Sequence, residues 1–112
     1  MVVYTPSRGD IVWLEFDPQS GHEQTGRRPV LVLSLLRYNS LTNYALFCPI
    51  TSNVKGYAFE VILPEDLKIS GAVLCDQVKS LDWKARYAKF ICKVPDDITR
   101  DVLEKLNTLL SP

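Results

Sequence analysis

Residues 11–33, IVWLEFDPQSGHEQTGRRPVLVL, hold the pattern that decides the fold. Two apolar runs, 11–16 and 30–33, flank a polar stretch that is rich in turn-forming residues. The apolar runs predict strands, and the polar stretch predicts a loop between them. This loop is longer than the usual hairpin connection of about two to five residues, and long loops on rigid strands often carry function. It contains histidine, carboxylate, amide and guanidinium side chains, which suit the binding and cleavage of a phosphodiester.

Length and composition bound the possible architectures. The chain has 112 residues, which is enough for one domain spanning residues 1–112, and its 46% of hydrophobic residues can bury a core without disulfides or metals. The 13 basic and 13 acidic residues cancel, which argues against non-specific coating of nucleic acid but allows a local basic groove. The sequence lacks a membrane-length apolar run and a signal-peptide pattern, so we expect a cytoplasmic protein without membrane contact.

The cysteines Cys48, Cys75 and Cys92 are odd in number and far apart, so they suggest neither a disulfide framework nor a metal site. Each stands inside an apolar run, where a free cysteine acts as a small hydrophobic residue. We therefore expect buried structural thiols in a reducing cytoplasm. A nucleophilic Cys48 is the alternative, but the sequence offers no activating base for it.

Short apolar segments alternate with turn signals as far as residue 94. They predict strands over 11–16, 30–35, 44–48, 59–63 and 71–75, and β-prone residues over 86–94. Pro49 suggests that the third strand ends there, at an edge or a bulge. Residues 95–97 then predict a helix start, and apolar residues recur at helical spacing at Ile98, Val102, Leu106 and Leu109. The pattern favours a mainly β fold, a small, strongly bent antiparallel barrel with one C-terminal α-helix.

Internal RNA cleavage needs a group that takes the 2′-OH proton, a group that stabilises pentacoordinate phosphorus and a group that protonates the leaving 5′-oxygen. Arg28 suits the second role because a guanidinium presents a planar fork to two phosphate oxygens; a structural arginine that ties down the loop is the alternative. We expect it to be held more rigidly than Arg27 in the middle of the loop. Glu23 is the natural general base, or it orients Arg28. Histidine side chains ordinarily titrate near neutrality, which would let His22 take part in proton transfer; a solvated bystander is the alternative. Thr51 can donate a hydroxyl hydrogen bond to phosphate, and an ordinary turn residue is the alternative.

Further polar residues suit RNA binding. Alternation along an extended segment places Gln77 and Lys79 on one face and Asp76 on the other. Gln77 can read a base edge and Lys79 can meet a phosphate. Tyr57, beside Lys55, can stack on a splayed base.

Taken together, these segments resemble the MazF/PemK (Kid) family of toxin endoribonucleases, and the MazF branch most. The matching pieces run in order over nearly the whole chain: Gly9-Asp10-Ile11-Val12-Trp13, Phe16-Asp17-Pro18, Gly21-His22-Glu23-Gln24 with Gly26 and Arg28-Pro29, Pro49-Ile50-Thr51, Lys55-Gly56-Tyr57-Ala58-Phe59-Glu60-Val61, Asp76-Gln77-Val78-Lys79-Ser80 and Trp83-Lys84-Ala85-Arg86. Each piece is weak alone, whereas the ordered set is specific.

The resemblance implies an SH3-like (CcdB/MazF-type) barrel that acts as a homodimer, the toxin of a type II toxin–antitoxin module. It implies sequence-specific cleavage of single-stranded RNA (an mRNA interferase) without metal or cofactor. The products are a 2′,3′-cyclic phosphate or 3′-phosphate and a 5′-hydroxyl. The implied partner is a MazE-like antitoxin whose acidic C-terminal segment blocks the RNA groove. The catalytic residues implied are Arg28, Thr51 and Glu23, and the RNA-binding residues are His22, Gln24, Lys55, Tyr57, Asp76, Gln77 and Lys79.

One departure and two alternatives remain. In the Kid branch an arginine stands two residues before the aspartate of Asp-Gln, whereas this chain has Leu74 at that position. The Kid arrangement is therefore incomplete here. We expect His22 and Asp76 to be accessory and Arg28 to carry the main catalytic role. A CcdB-like gyrase poison would share the barrel but would not need the charged loop. A plain SH3-like binding module would leave that loop unexplained.

Overall fold

The structure, a computed structural model, describes residues 3–16 and 26–112. In these ranges the elements are β1 (Asp10–Phe16), β2 (Gly26–Val32), α1 (Leu36–Thr42), β3 (Tyr44–Thr51), β4 (Glu60–Ile62), β5 (Ala72–Leu74), β6 (Lys79–Asp82), β7 (Lys89–Lys93) and α2 (Asp96–Leu110). The predicted mainly β class with a C-terminal helix is confirmed. No helix in the described ranges is long and apolar enough to cross a membrane.

The two strands predicted around the long polar stretch pair directly with each other. The antiparallel register of β1 and β2 sets Ile11 opposite Leu31 and Phe16 opposite Gly26. Strand β2 therefore begins four residues earlier than predicted, and residues 26–29 belong to the sheet rather than to the loop. The sheet continues in the order β4-β5-β3-β2-β1-β7, and β6 adds to β3.

Strand β3 pairs with three other strands through its two edges. One edge pairs with β2, while the other pairs with β6 over residues 44–47 and with β5 over residues 50–51. The predicted end at Pro49 is wrong, since the strand runs on to Thr51. Leu33 N–H donates to Leu46 O at 2.8 Å, so alternation makes Val30–Pro49 a non-hydrogen-bonded pair and directs the proline nitrogen to the outer edge. At Pro49 the partner on the outer edge of β3 changes from β6 to β5. The N–H that proline lacks therefore interrupts the pairing with neither strand.

Both faces of the central strands are buried. The cluster on one face includes Ile11, Leu31, Cys48, Ile50 and Val73, and the cluster on the other includes Val12, Leu14, Val30, Phe47 and Trp83. Helix α2 covers the first cluster with the predicted stripe, because Ile98, Val102 and Leu106 pack on it. Leu109 is 50% exposed and lies outside that contact.

The predicted barrel is open rather than closed. Among the described strands, β4 and β7 stand at opposite ends of the pairing order. The apolar face of α2, rather than a further strand pairing, closes the first cluster. The other strand predictions hold approximately, except that β6 was not predicted as a separate strand.

Helix α1 was also not predicted, because it has only seven residues, lacks a side-chain cap and exposes most of its surface. Its single buried residue, Asn39, anchors it through tertiary hydrogen bonds. The side-chain amide donates to Pro6 O at 2.8 Å, and the backbone carbonyl accepts from Trp83 Nε1 at 3.0 Å. Such distant partners leave no local signal in the sequence.

Candidate active site

Two adjoining pockets form an open groove beside the adjacent ends of β2 and β3. Arg28, Pro49 and Gln77 line both pockets. The first, which we call the Lys79 pocket, has a volume of about 360 Å³ and an apolar wall that includes Phe16, Val30, Phe47 and Leu81. The second, the Thr51 pocket, has a volume of about 670 Å³ and a polar wall that includes Thr51, Ser52, Asn53 and Ser70.

Arg28 stands where the two pockets meet. It lies on β2 opposite Leu14 and is half-buried. Strand alternation puts its side chain on the same face as Val30, which belongs to the second core cluster. None of the carboxylates in the described ranges forms a salt bridge with it. The guanidinium is thus held by a strand at an apolar wall and faces an open groove, which suits the binding of an anion.

Thr51 is the last residue of β3 and reaches the same groove from the neighbouring strand. Strand alternation puts Thr51 on the same face of β3 as Pro49, which stands opposite Val30 of β2. Thr51 and Arg28 both line the Thr51 pocket. Thr51 Oγ1 accepts the Asn53 N–H at 3.0 Å, which fixes the oxygen and leaves the hydroxyl hydrogen to be donated.

Arg27 is not a mid-loop residue, contrary to the expectation from the sequence. It pairs with Glu15 across β1 and β2, and its guanidinium lies 5.0 Å from the centre of the Trp13 ring. It is therefore also held on the strand, but on the opposite face from Arg28 and more exposed. It lines the Thr51 pocket only.

Gln77 and Lys79 share the groove, as the sequence predicted, but Asp76 does not. Gln77 lines both pockets, Lys79 lines one, and Asp76 is exposed and lines neither. The physical reason differs from the simple alternation that was assumed. A turn closed by Gln77 N–H donating to Leu74 O at 3.2 Å separates β5 from β6, so residues 76–79 do not form one continuous extended segment.

Lys55 and Tyr57 lie on the exposed loop that leads away from Thr51 and line neither pocket. The buried carboxylate of Glu60 holds this loop. Glu60 Oε1 accepts the backbone N–H of Gly56 at 2.8 Å and that of Lys55 at 3.2 Å. The middle of the loop is thus anchored to the first residue of β4.

His22, Glu23 and Gln24 lie outside the described residues, so the geometry of a general base from this loop stays a prediction. Sequence reasoning missed the apolar wall residues Phe16, Phe47 and Leu81 because a strand residue gives no sign that it borders a groove. It also missed Ser70, whose neighbour Gly71 was the available signal for a close backbone approach.

The cysteine predictions hold for two residues. Cys48 and Cys75 are buried, whereas Cys92 is partly exposed. Burial raises the pKa of Cys48 from 9.0 to about 12 and that of Cys75 from 9.0 to about 11. A thiol that stays protonated is a poor nucleophile, which argues against a catalytic Cys48. No cluster of potential metal ligands occurs among the residues that the structure describes.

Comparisons with known proteins agree over almost the whole chain. The family model of PemK-like, MazF-like toxins of type II toxin–antitoxin systems matches residues 7–110. The endoribonuclease toxin MazF of Escherichia coli K12 is 42% identical over 107 residues, which is 96% of each chain. The endoribonuclease toxin ChpB of the same strain is 44% identical over 108 residues, 92% of each chain. The crystal structure of MazE-MazF (Form-II) from Deinococcus radiodurans matches with a TM-score of 0.92 at 51% identity, covering 96% of this chain and 97% of that chain.

Proposed function

We infer the function of this chain from its family, since it belongs to the PemK-like, MazF-like toxins of type II toxin–antitoxin systems. The resemblance drawn from the sequence is confirmed, and so is the MazF-type fold. The chain is an endoribonuclease, the activity for which its relatives MazF and ChpB are named. The same relatives do not favour a gyrase poison or a plain binding module.

We propose that cleavage takes place beside Arg28 and Thr51. The observation that carries this proposal is that the two side chains, from neighbouring strands, line one open groove. The ribose 2′-oxygen attacks phosphorus, the bond to the 5′-oxygen breaks, and a 2′,3′-cyclic phosphate and a 5′-hydroxyl result. Arg28 donates N–H groups to the non-bridging oxygens, whose charge grows in the transition state, and Thr51 adds a neutral O–H donor. In this scheme Glu23 takes the 2′-OH proton, and the leaving 5′-oxygen is protonated from the surrounding water, with His22 as an accessory residue.

The substrate is a single strand in this proposal. The groove offers a cation at Lys79 for a phosphate and an amide at Gln77 for a base edge. Tyr57, 60% exposed on the anchored loop, supports stacking on an unpaired base. His22, Gln24, Lys55 and Asp76 would add contacts around the groove. The loop at 51–58 and the loop before β2 would together choose the cleaved sequence.

The remaining proposals concern the partner, the oligomeric state, the cellular location and the domain organisation of the enzyme. A MazE-like antitoxin is supported by the solved MazE-MazF complex of the Deinococcus relative. A homodimer and a cytoplasmic location follow from the resemblance, and the two buried free thiols accord with a reducing compartment. We also propose that residues 1–112 form one toxin domain without a metal or cofactor.

Incubating the purified protein with a long in-vitro transcript in EDTA tests the proposed function. We expect discrete fragments that carry a 5′-hydroxyl, shown by labelling with polynucleotide kinase without prior phosphatase treatment. Sequencing of those ends will give the cleavage motif. Intact RNA in EDTA with cleavage restored by Mg²⁺ would contradict the metal-independent mechanism, and intact RNA in both buffers would contradict the nuclease.

A further inference from the structure

Gly71 approaches the backbone of Thr51 more closely than any other residue type allows. A Cβ atom built on Gly71 would lie 2.1 Å from Thr51 O and 2.9 Å from Thr51 C, whereas real Cβ atoms essentially never come closer than 3.0 Å to a neighbour. The backbone of Gly71 also has φ +122°, a region that side-chain-bearing residues rarely adopt. Both features make glycine necessary at this position.

Gly71 cannot relieve such a contact by moving away, because it is held from the other side. Its carbonyl oxygen accepts the Leu63 N–H at 2.9 Å, next to β4. The following residues pair with β3, where Ala72 stands opposite Thr51 and Val73 opposite Ile50. A side chain at position 71 would therefore push the end of β3, which carries Thr51, rather than the turn that carries Gly71.

We infer that Gly71 is a positioning residue for the cleavage reaction. The absence of a side chain lets β5 close against the last residue of β3, and this contact sets the depth at which Thr51 enters the groove opposite Arg28. The inference rests on the proposed function, since it assumes that Thr51 takes part in cleavage. The neighbouring Ser70 lines the same pocket, so the turn before β5 forms part of the wall as well as its support.

A single methyl group would disturb this arrangement by a distance that matters for catalysis. The contact with Thr51 O would have to open from 2.1 Å to at least 3.0 Å. A displacement of about 1 Å of a catalytic group can cost up to about 100-fold in rate. Because the loss acts through one neutral hydroxyl donor, we expect Gly71→Ala to lower the single-turnover rate by about 10-fold, close to the loss from Thr51→Ala itself.

Gly9 supplies a matched control within the same chain. It has φ +93°, so a Gly9→Ala change carries a similar left-handed backbone strain, but a Cβ there would meet only Thr99 Oγ1 at 3.4 Å and Lys93 Nζ at 3.7 Å, which are ordinary contact distances. Gly9 lines neither pocket of the groove. Comparison of the two variants separates the effect of backbone strain from the effect of the contact with Thr51. We expect Gly9→Ala to keep the cleavage step within about twofold of wild type, because its strain is a cost to stability rather than to the groove.

The experiment measures cleavage of a long in-vitro transcript with the protein in excess. The plateau rate and the protein concentration that gives half of it are recorded for wild type, Gly71→Ala, Gly9→Ala, Thr51→Ala and the Gly71→Ala/Thr51→Ala double variant. Thermal melts establish folding, and any variant that melts near the assay temperature is assayed again at lower temperature in sucrose, which favours the folded state.

We expect the plateau rate of Gly71→Ala to fall while its half-saturating concentration changes by less than about twofold. We also expect the plateau rate of the double variant to lie within about twofold of that of Thr51→Ala. Losses that multiply in the double variant would overturn the assignment, as would a folded Gly71→Ala whose plateau rate matches that of Gly9→Ala. If Gly71→Ala fails to melt cooperatively even in sucrose while Gly9→Ala folds, Gly71 serves the fold rather than the site, and the assignment is also overturned. Intact RNA with wild type would instead contradict the proposed function.

Discussion

Replacement of Arg28 by alanine is expected to lower RNA cleavage by about 100- to 1,000-fold, the loss typical of removing one positioned donor from a developing oxyanion. The surroundings of the side chain set this magnitude, because Arg28 is half-buried beside the apolar wall of Phe16, Val30 and Phe47. Two unit charges 4 Å apart attract by about 4 kcal/mol at an effective dielectric constant of about 20, against about 1 kcal/mol in bulk water. About 1.4 kcal/mol changes a rate tenfold. Loss of the Arg28 charge beside the apolar wall should therefore slow cleavage by a hundredfold or more, whereas loss of the same charge in bulk water would slow it by about fivefold.

The assay compares single-turnover cleavage of one transcript by wild type and three variants at fixed ionic strength, because salt screens exposed charges. Arg28→Lys keeps the charge but loses the planar fork, so its rate should lie between those of wild type and Arg28→Ala. Arg37→Ala is the matched control, since it removes the same charge from the exposed surface of α1 and should leave the rate unchanged. Thermal melts confirm that each variant is folded.

Two results would refute this reasoning. A folded Arg28→Ala protein within about threefold of wild type, a barrier change of less than about 0.7 kcal/mol, would remove Arg28 from the transition state. An equal loss in Arg37→Ala would show that total charge, rather than a placed guanidinium, controls the rate.

Three further predictions concern the groove and its supports. Thr51→Ala should slow cleavage by about tenfold while Thr51→Ser retains most of the rate, because only the latter keeps the donor; equal rates for the two variants would exclude the hydroxyl. The pKa values of Cys48 and Cys75 are raised from 9.0 to about 12 and about 11, so the unfolded chain loses these protons first. The two thiols should therefore leave the free energy of unfolding unchanged below pH 8 and lower it as the pH rises through 9 to 12. A Cys48→Ala/Cys75→Ala variant whose free energy of unfolding falls as much as that of wild type over this range would contradict the prediction. Glu60→Ala should lower the free energy of unfolding by about 1.5 kcal/mol and speed hydrogen exchange at the backbone N–H groups of residues 55 and 56, since the carboxylate accepts both; unchanged exchange would show that the loop holds itself.

Elements that depend on interactions between near neighbours in the sequence were predictable, whereas elements that depend on distant contacts were not. Strand β1 was predictable because it holds a continuous apolar run, and helix α2 because its apolar residues recur at helical spacing. Helix α1 was not, because it depends on hydrogen bonds from Asn39 to residues far along the chain. The predicted end at Pro49 failed for a related reason, since the cost of a proline in a strand depends on which neighbour its edge meets.

The sequence by itself determined which chemical groups the chain carries, the order of the family motifs and the apolar periods that make strands and a helix. Local spacing carries that information, because side-chain alternation and helical repeat act over a few residues. Only the tertiary structure decided that Arg28 and Thr51 line one groove, since they are 23 positions apart along the chain. The pairing of β2 with β3 brings the two strand ends to one groove, and the close approach of Gly71 sets the end of β3. Both are contacts between strands that no short segment encodes.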